Sequence, residues 1–189
     1  MNEVETKVLD IDEAALRAKL AQLGAKEVAD GRLIVDWYGV RDVSAEDQPW
    51  RLRIRTGHGK NEVTWKGKAT SIPGALTRTV EELQTTVFDA AVLGAIFEKL
   101  GLERSAHQEK DRTSFIYKEW RFDIDRYPGI PAFVEIEGSS EEHIAEAMQL
   151  LDLVGHRTWT TGERRLIEQV YGKVWHQMHF AEEKETNEK

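Results

Sequence analysis

"EVETK", residues Glu3 to Lys7, alternates charged side chains with small neutral ones. Successive side chains of a β-strand point to opposite faces, so Glu3, Glu5 and Lys7 share one face. Val4 and Thr6 take the other face, and Val8 continues it. One strand with one polar face is ordinary in a half-exposed sheet, and a match this short decides nothing alone. The other strands determine whether that charged face meets open water or lines a polar interior.

The same grammar recurs along the chain. "WRLRIRT" (Trp50 to Thr56) places Arg51, Arg53 and Arg55 on one face and Leu52 and Ile54 on the other. "GHGKN" (Gly57 to Asn61) is a turn, and "EVTWKGK" (Glu62 to Lys68) returns as the second arm of an antiparallel hairpin. That arm puts Lys66 and Lys68 on the face of Thr64. After a break at "SIPGAL", "RTVEELQTTV" (Arg78 to Val87) aligns Arg78, Val80, Glu82, Gln84 and Thr86. "EKDRTSFIYK" aligns Lys110, Arg112 and Ser114; "WRFDIDRY" aligns Asp123 and Asp125; "AFVEIEG" aligns Phe133, Glu135 and Glu137. "RLIVDWYGV" (Arg32 to Val40) is a further strand, rich in β-branched and aromatic residues.

Helical spacing of apolar residues predicts helices over Ile11 to Leu23, Asp89 to Leu100 and Ser139 to Leu153. Asp10 or Asp12, Asp89 and the serines before Glu141 supply caps, while Gly24 and Gly101 supply stops. A last helix is expected from Thr161 within "TWTTGERRLIEQVYGKVWHQ". The strand–helix–strands order occurs twice, with "LRAKLAQLGAKEV" echoed by "LGAIFEKLGLERS". About eight strands and four helices therefore build an α+β fold, one antiparallel sheet or barrel with helices outside.

Composition narrows the function. The 189 residues are 40% hydrophobic and 32% charged, as expected of one globular domain. A net charge of −8 argues against nucleic acid as the partner. No apolar run approaches the ~20 residues of a membrane helix, and no basic-then-apolar leader precedes the first strand, so neither a membrane nor export is expected. The chain has no cysteine, which fits a reducing cytoplasm. The final "EEKETNEK" is polar and is expected to be frayed.

Several charged faces carry one sign only: three Arg, two Lys, two Asp, two Glu. Like charges on one face repel unless something opposite sits between them. Closed into a barrel, the strands would turn inward nine basic candidates (Lys7, Arg51, Arg53, Arg55, Lys66, Lys68, Arg78, Lys110, Arg112) and seven acidic ones (Glu3, Glu5, Glu82, Asp123, Asp125, Glu135, Glu137). Such an interior cannot be dry. Carboxylate clusters suit hard divalent cations, and Arg and Lys clusters suit phosphate oxygens. Together they point to a polyphosphate with bound metal.

Other features read as structure. His176 and His179 lie three apart on the expected last helix without a carboxylate partner, and so belong to a surface helix. The six tryptophans are spread singly, as core residues are; Trp37 and Trp65 are the two worth testing as base-stacking platforms. Gly57 to Lys60 lacks the glycine spacing and following helix of a phosphate loop.

In order, "EVETK", "RLRIR", "TWKGK", "EELQTTV", "EKDRTSFIY", "FDIDRYPGIPAFVEIE" and "WTTGERRLIEQVYGKV" resemble the CYTH superfamily, the triphosphate tunnel metalloenzymes. "EVETK" is similar to the ExExK signature of that group, which includes class IV adenylyl cyclases, thiamine triphosphatases and inorganic triphosphatases. The resemblance extends to about Val174, giving one domain over residues 1–174 and a helix end with a polar tail over 175–189. Its last two blocks look most like bacterial and archaeal proteins labelled class IV cyclases.

The resemblance implies an eight-stranded antiparallel barrel whose charged tunnel binds a triphosphate: tripolyphosphate, ATP or thiamine triphosphate. It implies Mg²⁺ or Mn²⁺ on Glu3, Glu5, Glu82, Asp123, Asp125, Glu135 and Glu137. Lys7, Arg51, Arg53, Lys66, Arg78 and Arg112 would contact phosphate, with Lys7 and Glu5 catalytic; Lys68 and Arg55 are further contacts. A homodimer is a family expectation. One position departs: Gln84 stands where many relatives carry the second Glu of a Glu-x-Glu pair, unless a one-residue shift brings in Glu81. Three activities follow: phosphoanhydride hydrolysis, cyclisation of ATP to cyclic AMP and pyrophosphate, or binding of a polyphosphate or nucleotide without turnover.

Overall fold

Alternating strands close on themselves in the computed structural model, which describes residues 2–44, 47–68 and 76–181. The strands are β1 (Asn2–Val8), β2 (Lys26–Val40), β3 (Arg51–Gly57), β4 (Lys60–Lys66), β5 (Arg78–Val87), β6 (Leu102–Tyr117), β7 (Trp120–Arg126) and β8 (Phe133–Gly138). They pair antiparallel in the order β5-β4-β3-β2-β6-β7-β8-β1, and β1 pairs with β5 to complete the ring. The closing seam is short, running from Asn2 opposite Glu81 to Glu5 opposite Arg78. Beyond it the same edge of β1 is taken by a two-residue strand β9 (Thr158–Trp159). The eight-stranded antiparallel barrel implied by the sequence is thus present.

Helices α1 (Glu13–Leu23), α2 (Ala90–Lys99) and α3 (Glu141–Leu150) lie outside. Their starts are fixed by the side chains of Asp12, Asp89 and Ser140, which accept from backbone N–H groups three residues on. Leu16 and Leu20 of α1 and Ile144, Ala147 and Met148 of α3 cover the outward faces of β1, β7 and β8, where Val8, Phe122, Ile124, Val134 and Ile136 are fully or almost fully buried. This apolar layer forces the opposite, charged faces inward. The β3–β4 turn needs glycine at Gly57: φ is +138°, and a Cβ would collide with the Arg32 carbonyl.

The C-terminal region differs from the single helix expected from Thr161. It forms β9, one helical turn α4 (Glu163–Arg165), a wider turn over Leu166–Val170, and a short 3₁₀ turn over Trp175–Gln177. Leu166, Ile167, Trp175 and Met178 pack with Leu9, Val35, Tyr127 and Phe133. The segment therefore plugs the barrel end where β1 finishes and β8 begins. Its backbone is tied to β6 by Glu109 N–H donating to the Met178 carbonyl (2.7 Å). His176 lies in the 3₁₀ turn and His179 beyond it, so the pair shares no helix face. The expected break at 71–75 and the tail 182–189 lie outside the described residues.

Candidate functional site

The barrel encloses a cavity of about 490 Å³. Twelve basic and seven acidic side chains line it among the described residues, an excess of five positive charges in a chain of net charge −8. That inversion of sign makes the interior a place for an anion. A smaller cavity of about 160 Å³ toward the β3–β4 turn shares Arg55, Lys60, Glu62, Arg112 and Arg121 with the first.

On β1, Lys7 stands between two carboxylates: Glu135 Oε2 at 2.6 Å and Glu5 Oε1 at 3.2 Å. The register causes this, because Lys7 lies opposite Glu135 and Glu5 opposite Glu137 on β8. Across the closing seam, Arg78 Nε donates to Glu5 Oε1 at 2.6 Å. Lys7 and Glu5 are only 1% and 2% exposed. Burial alone would neutralise them; mutual pairing prevents it. Burial pulls the Lys7 ammonium down, but Glu135 and Glu5 outweigh it and leave its pKa raised. Burial pushes Glu135 up, but Lys7, Arg112 and Lys110 hold it well below the usual carboxylate range. Glu5 is lowered as well: Lys7, Arg78 and Lys66 overcome burial and the repulsion of Glu135. The resting site therefore holds charged Lys7 and charged carboxylates.

Oxygens of Glu5, Glu135 and Glu137 lie within 4.8 Å of one another. Two oxygens on one Mg²⁺ at ~2.1 Å can be at most about 4.2 Å apart. A small inward movement would thus let all three share an ion, and an all-oxygen set suits Mg²⁺ or Mn²⁺. Asp125, Glu135 and Glu163 form a second trio under the same limit. Like the first, that trio already has counter-charges. Lys110 Nζ donates to Glu163 Oε1 (2.7 Å) and Asp125 Oδ2 (3.0 Å), and Arg112 donates to Asp125 through Nε and Nη2 (both 2.6 Å). Tyr127 donates its hydroxyl to Glu163 Oε2 at 2.8 Å. Burial and then Glu163 push the Tyr127 phenol well up, which keeps it a donor.

The basic wall comes from β3, β4 and β5. Arg53 is buried, and its Nε has no hydrogen-bond partner among the described residues. Glu82 Oε1 lies 3.9 Å from Arg53, and Lys66 pairs with Glu82. Gln84 faces the cavity with Glu82, and its amide oxygen accepts from Thr64 Oγ1 at 3.4 Å. Glu81, the alternative under a shifted register, is exposed and absent from the cavity wall. Arg51 lines the mouth, where a Cβ on Gly162 would sit 3.9 Å from its guanidinium and 3.4 Å from that of Arg78.

The sequence-read residues divide clearly. Glu5, Lys7, Arg51, Arg53, Arg55, Lys66, Lys68, Arg78, Glu82, Arg112, Asp123, Glu135 and Glu137 all line the cavity. Lys110 and Asp125 are buried in contact with the Glu163 that lines it. Glu3 sits on β1 opposite Val80, and its side chain is outside those described. Among the seven expected metal ligands, Glu5, Glu135 and Glu137 gather, and Asp125 joins only the second trio. Glu82 and Asp123 lie outside both trios and pair with Lys66 and with Arg112 and Arg121.

Sequence reading passed over Glu62, Arg121 and Glu163. Glu62 shares parity with Thr64 and Lys66, and Arg121 with Asp123, so alternation carried the signal for both. Glu62 is 1% exposed and receives Arg55 Nε at 3.0 Å. Glu163 had no such signal, since its turn reads as helix.

The profile of the CYTH domain family matches residues 1–153. A Methanocaldococcus jannaschii protein named "Putative adenylate cyclase" is 29% identical over 160 residues, 80% of this chain and 88% of that one. A Pyrococcus horikoshii structure superposes with a TM-score of 0.67 at 22% identity, covering 81% of this chain and 92% of that chain. A Hippeastrum protein, named as an adenylyl cyclase and described as having a dominant triphosphatase activity, superposes with a TM-score of 0.58 at 13% identity over 94% and 99% of the two chains.

Proposed function

The chain belongs to the CYTH domain family, and from that membership we propose that it binds a triphosphate inside the barrel and cleaves a phosphoanhydride bond with the help of Mg²⁺ or Mn²⁺. The observation that carries this reading is the pairing, in one cavity, of a positive excess with the Glu5, Glu135 and Glu137 trio. An ion bound by that trio would polarise phosphoryl oxygens and acidify bound water. Arg53, Arg51, Lys66, Arg78 and Arg112 would bind the phosphates and offset charge building on the leaving group. Lys7, whose ammonium sits between Glu5 and Glu135, would place a fixed positive charge beside the reacting phosphate. The domain would span residues 1–174, with residues 175–181 closing the barrel end.

Cyclisation of ATP is the second reading, supported by the name of the archaeal relative. One assay separates the two. Purified protein with Mg²⁺ or Mn²⁺ is given tripolyphosphate or ATP, and phosphate, pyrophosphate and cyclic AMP are quantified together. Phosphate from tripolyphosphate without cyclic AMP supports hydrolysis. Equimolar cyclic AMP and pyrophosphate from ATP replaces it with cyclisation. Binding with neither product would make the chain a polyphosphate-binding module.

A further inference from the structure

One side of the cavity is not charged. Trp37 of β2 and Trp175 of the C-terminal plug both line it, with ring centroids 5.7 Å apart and planes tilted by 49°. They are 9% and 8% exposed, as open as the Arg53 and Arg78 that line the same space. Trp37 is fixed in place: its Nε1–H donates to Gln108 Oε1 (2.7 Å), and Gln108 Nε2 donates to the Trp175 carbonyl (2.8 Å). The guanidinium of Arg53 lies 5.7 Å from the Trp37 ring centroid, so the aromatic wall adjoins the basic one. Independently, the indole N–H of Trp175 is buried and has no hydrogen-bond partner among the described residues. An orphaned buried donor costs about 1–3 kcal/mol, which a ligand acceptor would recover if a small shift of the indole presented the N–H to it.

We propose that Trp37 and Trp175 form a subsite for the neutral, planar heteroaromatic base of a nucleoside triphosphate, whose phosphates occupy the adjoining basic wall. This rests on the triphosphate-binding reading above and names the substrate class. A bare tripolyphosphate uses only the charged wall. The cavity volume of about 490 Å³ falls in the range of roughly 300–1,000 Å³ that holds small organic ligands. A neutral base offers both a π-face for the indoles and ring acceptors for the Trp175 N–H. A cationic ring such as a thiazolium is disfavoured, because Arg53 already places a positive charge beside Trp37 and the wall carries a positive excess.

The test measures, by titration calorimetry in metal-free buffer, the affinities for tripolyphosphate, ATP and thiamine triphosphate. The proteins are wild type, Trp37→Leu and Trp175→Phe. Trp175→Phe keeps an aromatic ring, though a smaller one, and deletes the N–H, so it decides the matter if Trp37→Leu does not fold. The expected result is a loss of ATP affinity of about tenfold for Trp37→Leu and a smaller loss for Trp175→Phe, with tripolyphosphate affinity unchanged in both. Equal losses for ATP and tripolyphosphate, or no loss for ATP, overturn the subsite while the triphosphate reading stands. Tighter binding of thiamine triphosphate than ATP by the wild type overturns the preference for a neutral base. Failure of the wild type to bind tripolyphosphate at all sinks the triphosphate reading itself.

Discussion

Glu135 faces Lys7 at 2.6 Å, lies 3.8 Å from Arg112, and belongs to both carboxylate trios. Removing its charge while keeping its shape isolates that role. Glu135→Gln leaves Lys7 paired with Glu5, so the barrel closes, but it strips the metal trio of its central anion. Metal-dependent release of phosphate should fall at least about 100-fold, while circular dichroism stays that of the wild type. Full turnover in that variant would mean the ion binds elsewhere. Glu62 allows a test away from this trio. Burial works against its ionisation, but Arg55 and Lys60 prevail and hold its pKa below the ordinary carboxylate value. A depressed carboxylate contributes stability above its unfolded pKa and loses it as pH falls through the folded value. Glu62→Gln should therefore destabilise the protein at neutral pH by leaving Arg55 without its counter-charge. In urea titrations the gap to wild type should narrow as pH falls below the ordinary carboxylate pKa toward the lowered folded value; a gap constant with pH would refute the ionic role. At this scale alternation made most of the site legible, since one strand's parity assigns every second residue. It did not say which inward charges pair with each other. Alternation turns Glu82 and Asp123 inward with the other acids; only the folded chain sets Lys66 beside Glu82 and Arg112 beside Asp123.

Helix α2 is seated by a contact that propensity scales miss. A Cβ on Gly94 would come within 2.5 Å of the Tyr38 hydroxyl, and Phe97, one turn on, meets the Tyr38 ring edge-on at 5.2 Å. Alanine in a helix interior is favoured over glycine by about 1 kcal/mol. Overpacking costs about 1–3 kcal/mol, so it should win and Gly94→Ala should destabilise. In a Tyr38→Phe background the obstructing hydroxyl is gone, and the same change should become neutral or stabilising. Chemical denaturation of the four proteins in a double-mutant cycle measures this, and additive effects would disprove the contact. Helix α2 itself was legible, because Asp89 and the apolar spacing are local signals. The C-terminal plug was not. Leu166 and Ile167 fit a helical face, yet the chain there follows tertiary anchors: Thr158 and Trp159 on the free edge of β1, Glu163 on Lys110 and Tyr127, and Met178 on Glu109. None of these partners is near in sequence, so no local pattern announces them.

The whole molecule separates charge by location: the outside carries more than the full net charge of −8, while the cavity wall is positive by five. Glu5 and Glu82 offset only part of the charge of Arg51, Arg53, Lys66 and Arg78, and the remaining positive excess repels itself across the space they share. Any multivalent anion that fits should relieve the repulsion, so ligand binding should be visible as stability even without a metal. At about 100 times its dissociation constant, tripolyphosphate should add roughly 2.7 kcal/mol. For a domain of this size that is a rise in melting temperature of about 5–10 °C. Orthophosphate at the same concentration reaches fewer of the cations and should do far less. Raising the salt to about 1 M, where the Debye length is ~3 Å, should weaken tripolyphosphate binding and shrink the rise. Arg53→Ala should shrink it too, because it removes a wall cation whose Nε has no hydrogen-bond partner among the described residues. Differential scanning fluorimetry across these conditions reads all three effects. A rise of equal size with orthophosphate and tripolyphosphate would show that the wall counts charge without recognising a phosphate chain, and would take the triphosphate out of the proposal.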